Sequence, residues 1–490
     1  MQKVEEIITE ENALYSNRVF EYLTSLKGLN QKEKVVQVDL ETAFLIDFSV
    51  KELEDDEEES KQFLESDQFL TYVRRGCTFI RYPKDKNVYL LRKGYQKFCY
   101  QSSIPQKVCD VFDLDQFNRK TSLLEKFQSI NLQRTNKEDG SNVQISWCAK
   151  LNCWVICSKN EAYLIKNLSK KYLDKLQPVI VEMAKLWFKF IDTLPKEKLA
   201  ILQEFCSNKT LIGEICGANK HLKQYVTYKE EQLVFLSIVD NFSDQICYTP
   251  IESAQILNDF GLNTVKIQQT GEIASYEELQ NQVNRIRQEI ATGSFENYGE
   301  GEVLYYCITD KEQKKTVVLM EKIKTFEYSL FKAIIRLMPC TFKKNKNQEF
   351  NLKKVQYAEE NLLKYIEKVK EKFFMYGSLE LYYKMVKQVI QFYLVGGQVD
   401  LLRFQEYFIS FKYILQKEQI INQENLLLEL KNTFGIDILK EQQEKIDKIE
   451  KEKQLISEKK ANKLQLLSTK KDESVQKDAT NIFQLKKIFE

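Results

Sequence analysis

The chain has 490 residues, 43% of them apolar and 12% aromatic, enough for two or three domains and a sizeable core. Its 73 basic and 71 acidic side chains leave a net charge of +2, so any nucleic-acid binding must come from local basic patches. The single histidine, His221, argues against a histidine-based triad or a Cys/His zinc site, and eleven cysteines without paired metal spacing fit a reducing compartment.

Met1 leads into Glu5, Glu6, Glu10 and Glu11, which is no signal peptide, and no apolar run approaches the roughly 18 residues of a membrane span. The expectation is a soluble protein of the cytoplasm or nucleus. Residues 1–30 read as an amphipathic helix with Ile7, Leu14, Phe20 and Leu23 on one side. Val36 to Val50 is strand-like, and Glu52 to Lys61 is an acidic run expected to be a solvated loop. Thr78–Arg81 and Val88–Arg92 predict a hairpin around Pro83–Asn87, and Val143–Ala149 and Cys153–Ser158 a second around Lys150-Leu151-Asn152. Cys148, Cys153 and Cys157 fall on those apolar strands rather than in a metal-binding pattern.

Pro178 to Leu194 has helical spacing, with Val179, Met183, Leu186, Trp187 and Phe190 on one stripe, and Pro195 ends it. Strands follow at Leu211–Cys216 and Gln232–Val239, helices at Glu252–Phe260 and Tyr276–Ile290, then strands at Glu302–Ile308 and Thr316–Glu321. Residues 1–340, with a core over 35–340, are therefore an α+β domain built on a largely antiparallel sheet. Cys340–Asn351 reads as a linker. Residues 341–438 then show only helical periodicity, punctuated by Gly377, Gly396-Gly397 and Gly435, and 439–490 is a charged helical or disordered tail.

The most informative stretch is Thr135-Asn136-Lys137-Glu138-Asp139-Gly140-Ser141, followed by the alternating run Val143–Trp147. A lysine ahead of an Asp-Gly turn is placed to act as a nucleophile once desolvation or neighbouring positive charge lowers its pKa, and the turn lets the backbone approach a sugar closely. Alone the pattern is weak. Three elements follow it in order. Leu211–Gly217 carries one carboxylate, Glu214, in an apolar strand; Gly299-Glu300-Gly301-Glu302 sets carboxylates beside glycine at a strand entrance; Met320–Lys324 alternates Lys322 and Lys324 across Ile323. On a strand both ammonium groups share a side, where they would meet a polyphosphate and depress the pKa of Lys137. Taken singly, these are a water-facing strand carboxylate, an ordinary turn and a lysine-bearing strand edge. Their joint order is what favours one site.

The ordered set resembles the covalent nucleotidyltransferase superfamily, and in detail the ATP-dependent RNA ligases of the phage and tRNA-ligase type. Lys137–Ser141 is similar to motif I of that group, Ser158-Lys159-Asn160 to its Ser-Lys element, Gly213-Glu214 to motif III, and Phe235–Asp240 to a looser motif IIIa. Glu300–Val303 resembles motif IV, and Lys322-Ile323-Lys324 with Tyr328 resembles motif V. Upstream, Arg75-Gly76 and Tyr95-Gln96-Lys97-Phe98 look like the elements that precede motif I in RNA ligases, with Cys99 where an aromatic is usual. DNA ligases and capping enzymes lack that pair in this arrangement.

The resemblance implies an ATP-grasp-like RNA ligase domain followed by an all-helical C-terminal domain. Its implied roles are Lys137 as nucleophile, with Lys322 and Lys324 on the α-phosphate. Arg75 and Lys97 would hold the outer phosphates or the RNA backbone, Asp139, Gly140 and Glu214 the nucleoside, Phe235 would stack on adenine, and Glu300 would organise Mg²⁺. Arg134 is a further candidate for phosphate. The implied cofactors are ATP and Mg²⁺ and the implied partner is RNA, a tRNA or another structured RNA. With no phosphate loop and no histidine pair for phosphodiesterase chemistry, separate end-healing enzymes are expected. Lysines 353, 354, 364, 368, 384 and 387, with Tyr357, Tyr365, Tyr382 and Tyr383 between them, would contact RNA or simply clothe a helical surface. The alternatives are a catalytically inactive RNA-binding protein with a ligase fold and a guanylyltransferase using GTP.

Overall fold

The computed structural model describes residues 2–27, 29–50, 71–96, 98, 129–174, 176–217, 226, 228–292, 299–325, 328–334 and 352–369, with single residues at 383, 386 and 387. The chain divides into two compact units, residues 1–337 with 364–378, and residues 338–363 with 379–490. The expected acidic loop, the linker after Pro339, the helices beyond residue 375 apart from those three single residues, and the tail lie outside the described residues. Of the C-terminal region, one helix is described, α7 (Leu352–Val369), with Val355, Ala358, Leu362 and Ile366 buried at helical spacing. No described helix is long and apolar enough to cross a membrane.

The first unit is mixed helix and antiparallel sheet, with three sheets among its described residues. The N-terminal sheet runs β1 (Leu29–Val38), β2 (Glu41–Val50), β3 (Cys77–Arg81) and β4 (Val88–Lys93) in simple order. Val36–Val50, expected as one strand, is thus a hairpin. Asp39 takes φ 51° at the turn and Leu40 stays 96% exposed, a turn without the glycine that usually marks one. The helix α1 (Gln2–Ser25) covers one face through Val19 and Leu23, packed with Ile46, Phe48 and Phe79.

The central sheet has the order β10 (Gln232–Asp240), β9 (Lys209–Cys216), β6 (Ser141–Cys148), β7 (Cys153–Cys157), β8 (Ala162–Ile165), every neighbouring pair antiparallel. After a single turn, α2 (Lys170–Leu173), the helices α3 (Pro178–Ile191) and α4 (Lys196–Ser207) follow, with α5 (Pro250–Phe260) after β10. These three cover one face of the sheet: Trp187, Met183 and Ile180 of α3, Leu202 of α4 and Leu257 of α5 pack with Val143, Ile145, Ile215 and Phe235. Each such side chain contributes about 1.5–3 kcal/mol on burial. A Thr249–Glu252 capping box starts α5 and Gly261 at φ 88° ends it. The α4 helix was not legible in the sequence because only Leu202 and Cys206 of its twelve residues are buried.

The opposite face of the central sheet is shared. Over β6–β8 it meets the N-terminal sheet through Leu45, Ile80, Leu91, Val155 and Cys157. Over β9 and β10 it meets the third sheet, β11 (Ile267–Gln269), β5 (Ser129–Asn136), β12 (Gly301–Thr309), β13 (Lys315–Lys324), through Ile212, Val234 and Leu236 against Val303, Tyr305 and Met320. The helix α6 (Tyr276–Thr292) covers the far side of that third sheet with Leu279, Val283 and Ile286. The sequence reading missed β5. Its Ile130 and Leu132 face α6, but Asn131, Gln133 and Thr135, all buried, break the apolar pattern on the other side.

Candidate active site

Lys137 lies in the four-residue connection between β5 of the third sheet and β6 of the central sheet, rather than at a strand start. Both ends of that connection are pinned. The Lys137 N–H donates to the Gly301 carbonyl (2.9 Å), and the Gly140 N–H donates to Glu214 Oε2 (2.8 Å). Gly140 must be glycine for a steric reason: a Cβ there would sit 2.5 Å from the Ile215 carbonyl oxygen and 3.0 Å from Glu214 Cβ. Gly301, at φ 136°, is equally constrained, since a Cβ would lie 2.0 Å from the Ile323 oxygen. The motif I turn, β9, and the β12–β13 pair therefore meet at backbone contact.

At this junction Glu300 stands between two lysines. Its Oε2 is 2.8 Å from Lys137 Nζ and its Oε1 is 2.7 Å from Lys324 Nζ, with Glu300 almost fully buried. Burial works against the Glu300 carboxylate, but the two ammonium groups win and hold its pKa below the ordinary value. Burial likewise works against the Lys137 ammonium, yet Glu214 and Glu300 outweigh it and raise its pKa. This reverses the expectation that Lys322 and Lys324 would depress it: the carboxylates lie nearer in effect than the cations. The lysine that is depressed is Lys322, to about 7, by burial and by the positive charges of Lys324, Arg75 and Lys137. Lys324 is lowered too, by burial, with Glu300 opposing.

Glu214 is on an interior strand, with β10 and β6 on either side, so the water-facing reading does not hold. Although part of its surface meets solvent, enclosure raises its carboxyl to about 7, against the pull of Lys137. Asp139 is buried and its carboxylate accepts from the Val226 N–H (3.1 Å), the Tyr328 hydroxyl (3.1 Å) and Lys332 Nζ (3.2 Å). The Tyr328 ring also carries both neighbouring ammonium groups, Lys324 Nζ at 4.7 Å and Lys332 Nζ at 5.0 Å from its centre. Lys332 was not singled out from the sequence. Its signal was the spacing of four from Tyr328, which aligns the two on the helical turns over 328–334.

Arg75 is half-buried, with its guanidinium carbon 5.9 Å from the Phe98 ring centre, and near enough to Lys322 to lower that lysine's pKa. Its carbonyl accepts from Gln144 Nε2 (2.9 Å). Behind it lies Arg92, fully buried, whose guanidinium reaches Thr78 Oγ1 (2.8 Å), Gln144 Oε1 (3.3 Å), the Ser158 carbonyl (2.6 Å) and Asp47 Oδ1 (3.5 Å). Arg92 thus ties the Arg75-Gly76 turn to the Ser158-Lys159 turn. Lys97 lies outside the described residues.

Two candidates are placed elsewhere. Phe235 is buried on the helix-covered face, its ring 6.1 Å from Trp187, whereas Glu214 shares the other face with Ile212 and Cys216. A register shift between Phe235 and Ser237 does not turn it back, so the aromatic expected to stack on adenine packs in the core instead. Arg134 is held by Glu302 (2.8 Å) and by Glu289, which occupies it with carboxylates rather than leaving it for phosphate. Among the described residues there is no group of three or more Cys, His, Asp or Glu side chains arranged to hold a metal.

The site therefore combines a lysine on a turn between two sheets, a carboxylate shared by two lysines, and a second basic group around Lys322 and Arg75. The model of the RNA ligase family matches residues 131–324, from inside β5 to the last residue of β13. No curated protein matches the chain. Among solved structures, an archaeal ATP-dependent RNA ligase is 13% identical with a TM-score of 0.36, covering 84% of this chain and 80% of that one. An RNA ligase of Naegleria gruberi with ATP and manganese is 17% identical with a TM-score of 0.31, covering 48% of this chain and 57% of that one. The Naegleria gruberi RNA ligase with pyrophosphate is 15% identical with a TM-score of 0.28, covering 62% of this chain and 93% of that one.

Proposed function

We propose that the chain is an ATP-dependent RNA ligase that joins 5′-phosphate and 3′-hydroxyl RNA ends through a lysyl–AMP intermediate. The observation that carries this reading is the Lys137–Glu300–Lys324 triplet, with Glu300 within 2.8 Å of both ammonium groups at the junction of two sheets. In the first step the neutral Lys137 amine attacks the α-phosphorus of ATP. A P–N bond forms, the bond to pyrophosphate breaks, and the amine gives up its proton. In the second step a 5′-phosphate oxygen of RNA attacks the same phosphorus, and the P–N bond breaks. In the third a 3′-hydroxyl attacks the activated 5′-phosphate and AMP leaves.

Each step is a displacement at phosphorus, so orientation and charge neutralisation carry the catalysis. Lys322 and Lys324 would neutralise the α-phosphate, Arg75 the outer phosphates, and Glu214, already bound to the Gly140 N–H, would accept from the ribose. The donor set suits a divalent ion bound mainly by nucleotide phosphates with Glu300 as its protein ligand, since such ions commonly take one or two carboxylates beside substrate oxygens. Bound there, the ion would offset phosphate charge. Other enzymes would prepare the RNA ends, in repair or tRNA processing.

The test is incubation with ATP or GTP labelled at the α-phosphate, with a divalent ion, followed by denaturing electrophoresis. A band with ATP that vanishes in Lys137→Ala supports the reading. A band with GTP alone indicates a guanylyltransferase, and no band with either indicates an inactive RNA-binding protein.

A further inference from the structure

The Lys137–Gly140 turn is held at its ends by backbone contacts to β12 and by Glu214, but its middle is held by a residue outside every motif. Tyr228, in the connection between β9 and β10, accepts a hydrogen bond from the Asp139 N–H (3.0 Å) and donates one to Glu138 Oε2 (2.8 Å). One hydroxyl thus binds both central residues of the turn, using its single proton and a lone pair. Two residues earlier the Val226 N–H meets Asp139 Oδ2 (3.1 Å), the carboxylate oxygen other than the one that accepts from Tyr328 and Lys332.

We infer that Tyr228 is a positioning residue for the nucleophile, fixing the turn so that Lys137 stays aligned with Glu300 and Lys324. The inference rests on the proposed lysyl–AMP chemistry. A four-residue turn held at its ends and through the Asp139 side chain can still shift at Glu138 and at the peptide N–H of Asp139, next to Lys137. The phenol removes that freedom at the two residues next to it. Glu138 is raised by burial and lowered by the Tyr228 hydrogen bond and by Lys137, so the phenol also favours a charged carboxylate beside the nucleophile. Small misplacements of a reacting group are costly in rate, of the order of a hundredfold for 1 Å. Loss of one partly exposed hydroxyl costs little stability.

The experiment uses the full chain and single-turnover formation of labelled lysyl–AMP across a range of ATP concentrations. Tyr228→Phe keeps the ring and removes only the hydroxyl. It is expected to lower the limiting rate by roughly tenfold or more with little change in the ATP concentration giving half that rate. Its unfolding midpoint, followed by tryptophan emission, should stay within a few degrees of the unaltered chain. Glu138→Ala should slow the reaction, and its effect should shrink in the Tyr228→Phe background, because the two share one contact. A Tyr228→Phe rate equal to that of the unaltered chain overturns the inference. So does a rate loss that tracks loss of folded protein, or an effect confined to half-saturation by ATP. An unaltered chain that forms no adduct removes the functional reading itself and this inference with it, whereas normal adduct formation by both forms removes only the role of Tyr228.

Discussion

Arg92→Met tests whether the buried arginine joins the N-terminal sheet to the site. The guanidinium and Asp47 are 0% and 1% exposed, and removing the cation leaves that carboxylate buried with Thr78 Oγ1 (2.6 Å), the Ala162 N–H (3.2 Å) and a half-buried Lys34 at 3.6 Å. Breaking a buried pair from one side costs about 3–5 kcal/mol. The remaining contacts to Asp47 place Arg92→Met near the lower end, about 3 kcal/mol. For a unit of this size that lowers the unfolding midpoint by roughly 6–12 °C, at about 2–4 °C per kcal/mol. The chain's three tryptophans, Trp147, Trp154 and Trp187, all lie in the helix-covered core of the central sheet, so their emission reports this unit. Arg92→Met/Asp47→Asn should regain part of the loss, since the uncompensated charge is gone. A loss below about 1 kcal/mol, the level of an ordinary substitution, would refute the reasoning, as would a double variant less stable than the single one.

Lys137→Ala and Lys137→Arg should both abolish the labelled adduct while leaving tryptophan emission and melting near those of the unaltered chain, because arginine offers no neutral nucleophile at accessible pH; a retained adduct would move the nucleophile elsewhere. Lys322→Ala and Lys324→Ala should each slow adduct formation about a hundredfold or more, the scale of losing one charge-stabilising donor; near-normal rates from both would return them to the role of an ordinary strand edge. Because Glu214 and Glu300 outweigh burial and raise the Lys137 pKa, its ammonium form dominates below that raised value. Adduct formation at limiting ATP should therefore rise with pH between pH 7 and 9. In Glu214→Gln, which removes one of those negative charges, the rise should move to lower pH even though the rate falls. A flat profile would contradict the proton assignment.

Legibility differed by element for physical reasons. The two expected hairpins, β3–β4 and β6–β7, were readable because alternation and turn residues agreed, and their turns fall where the sequence put them. Strand β5, which leads to Lys137, was not readable, because its inner side is lined by the polar Asn131, Gln133 and Thr135. Gln133 Oε1 accepts from the Ile251 N–H (3.1 Å). Phe235 looked suitable for a nucleobase because strand register alone does not say which face of a doubly covered sheet is the site. Tyr228 had no signal at all. It reaches the motif from 89 residues away, from the connection between β9 and β10.

Alternation did place Lys322 and Lys324 on one side of β13, but it could not assign their charges. Glu300 sits at 2.7 Å from Lys324 and stabilises that ammonium, whereas Lys322 is surrounded mainly by positive charge, from Lys324, Arg75 and Lys137. Burial and these positive neighbours together lower its pKa to about 7. A polyanion at this spot would favour the ammonium form and relieve the mutual repulsion of the cluster, so the repulsion itself selects for a ligand with several negative charges. Lys137 has the opposite balance, with its ammonium favoured by Glu300 and Glu214. A divalent cation that took Glu300 as a ligand would weaken that hold and favour the neutral amine. The two lysines differ in their charged neighbours, carboxylates raising Lys137 and cations lowering Lys322, which would suit one to lose a proton to chemistry and the other to meet an anion.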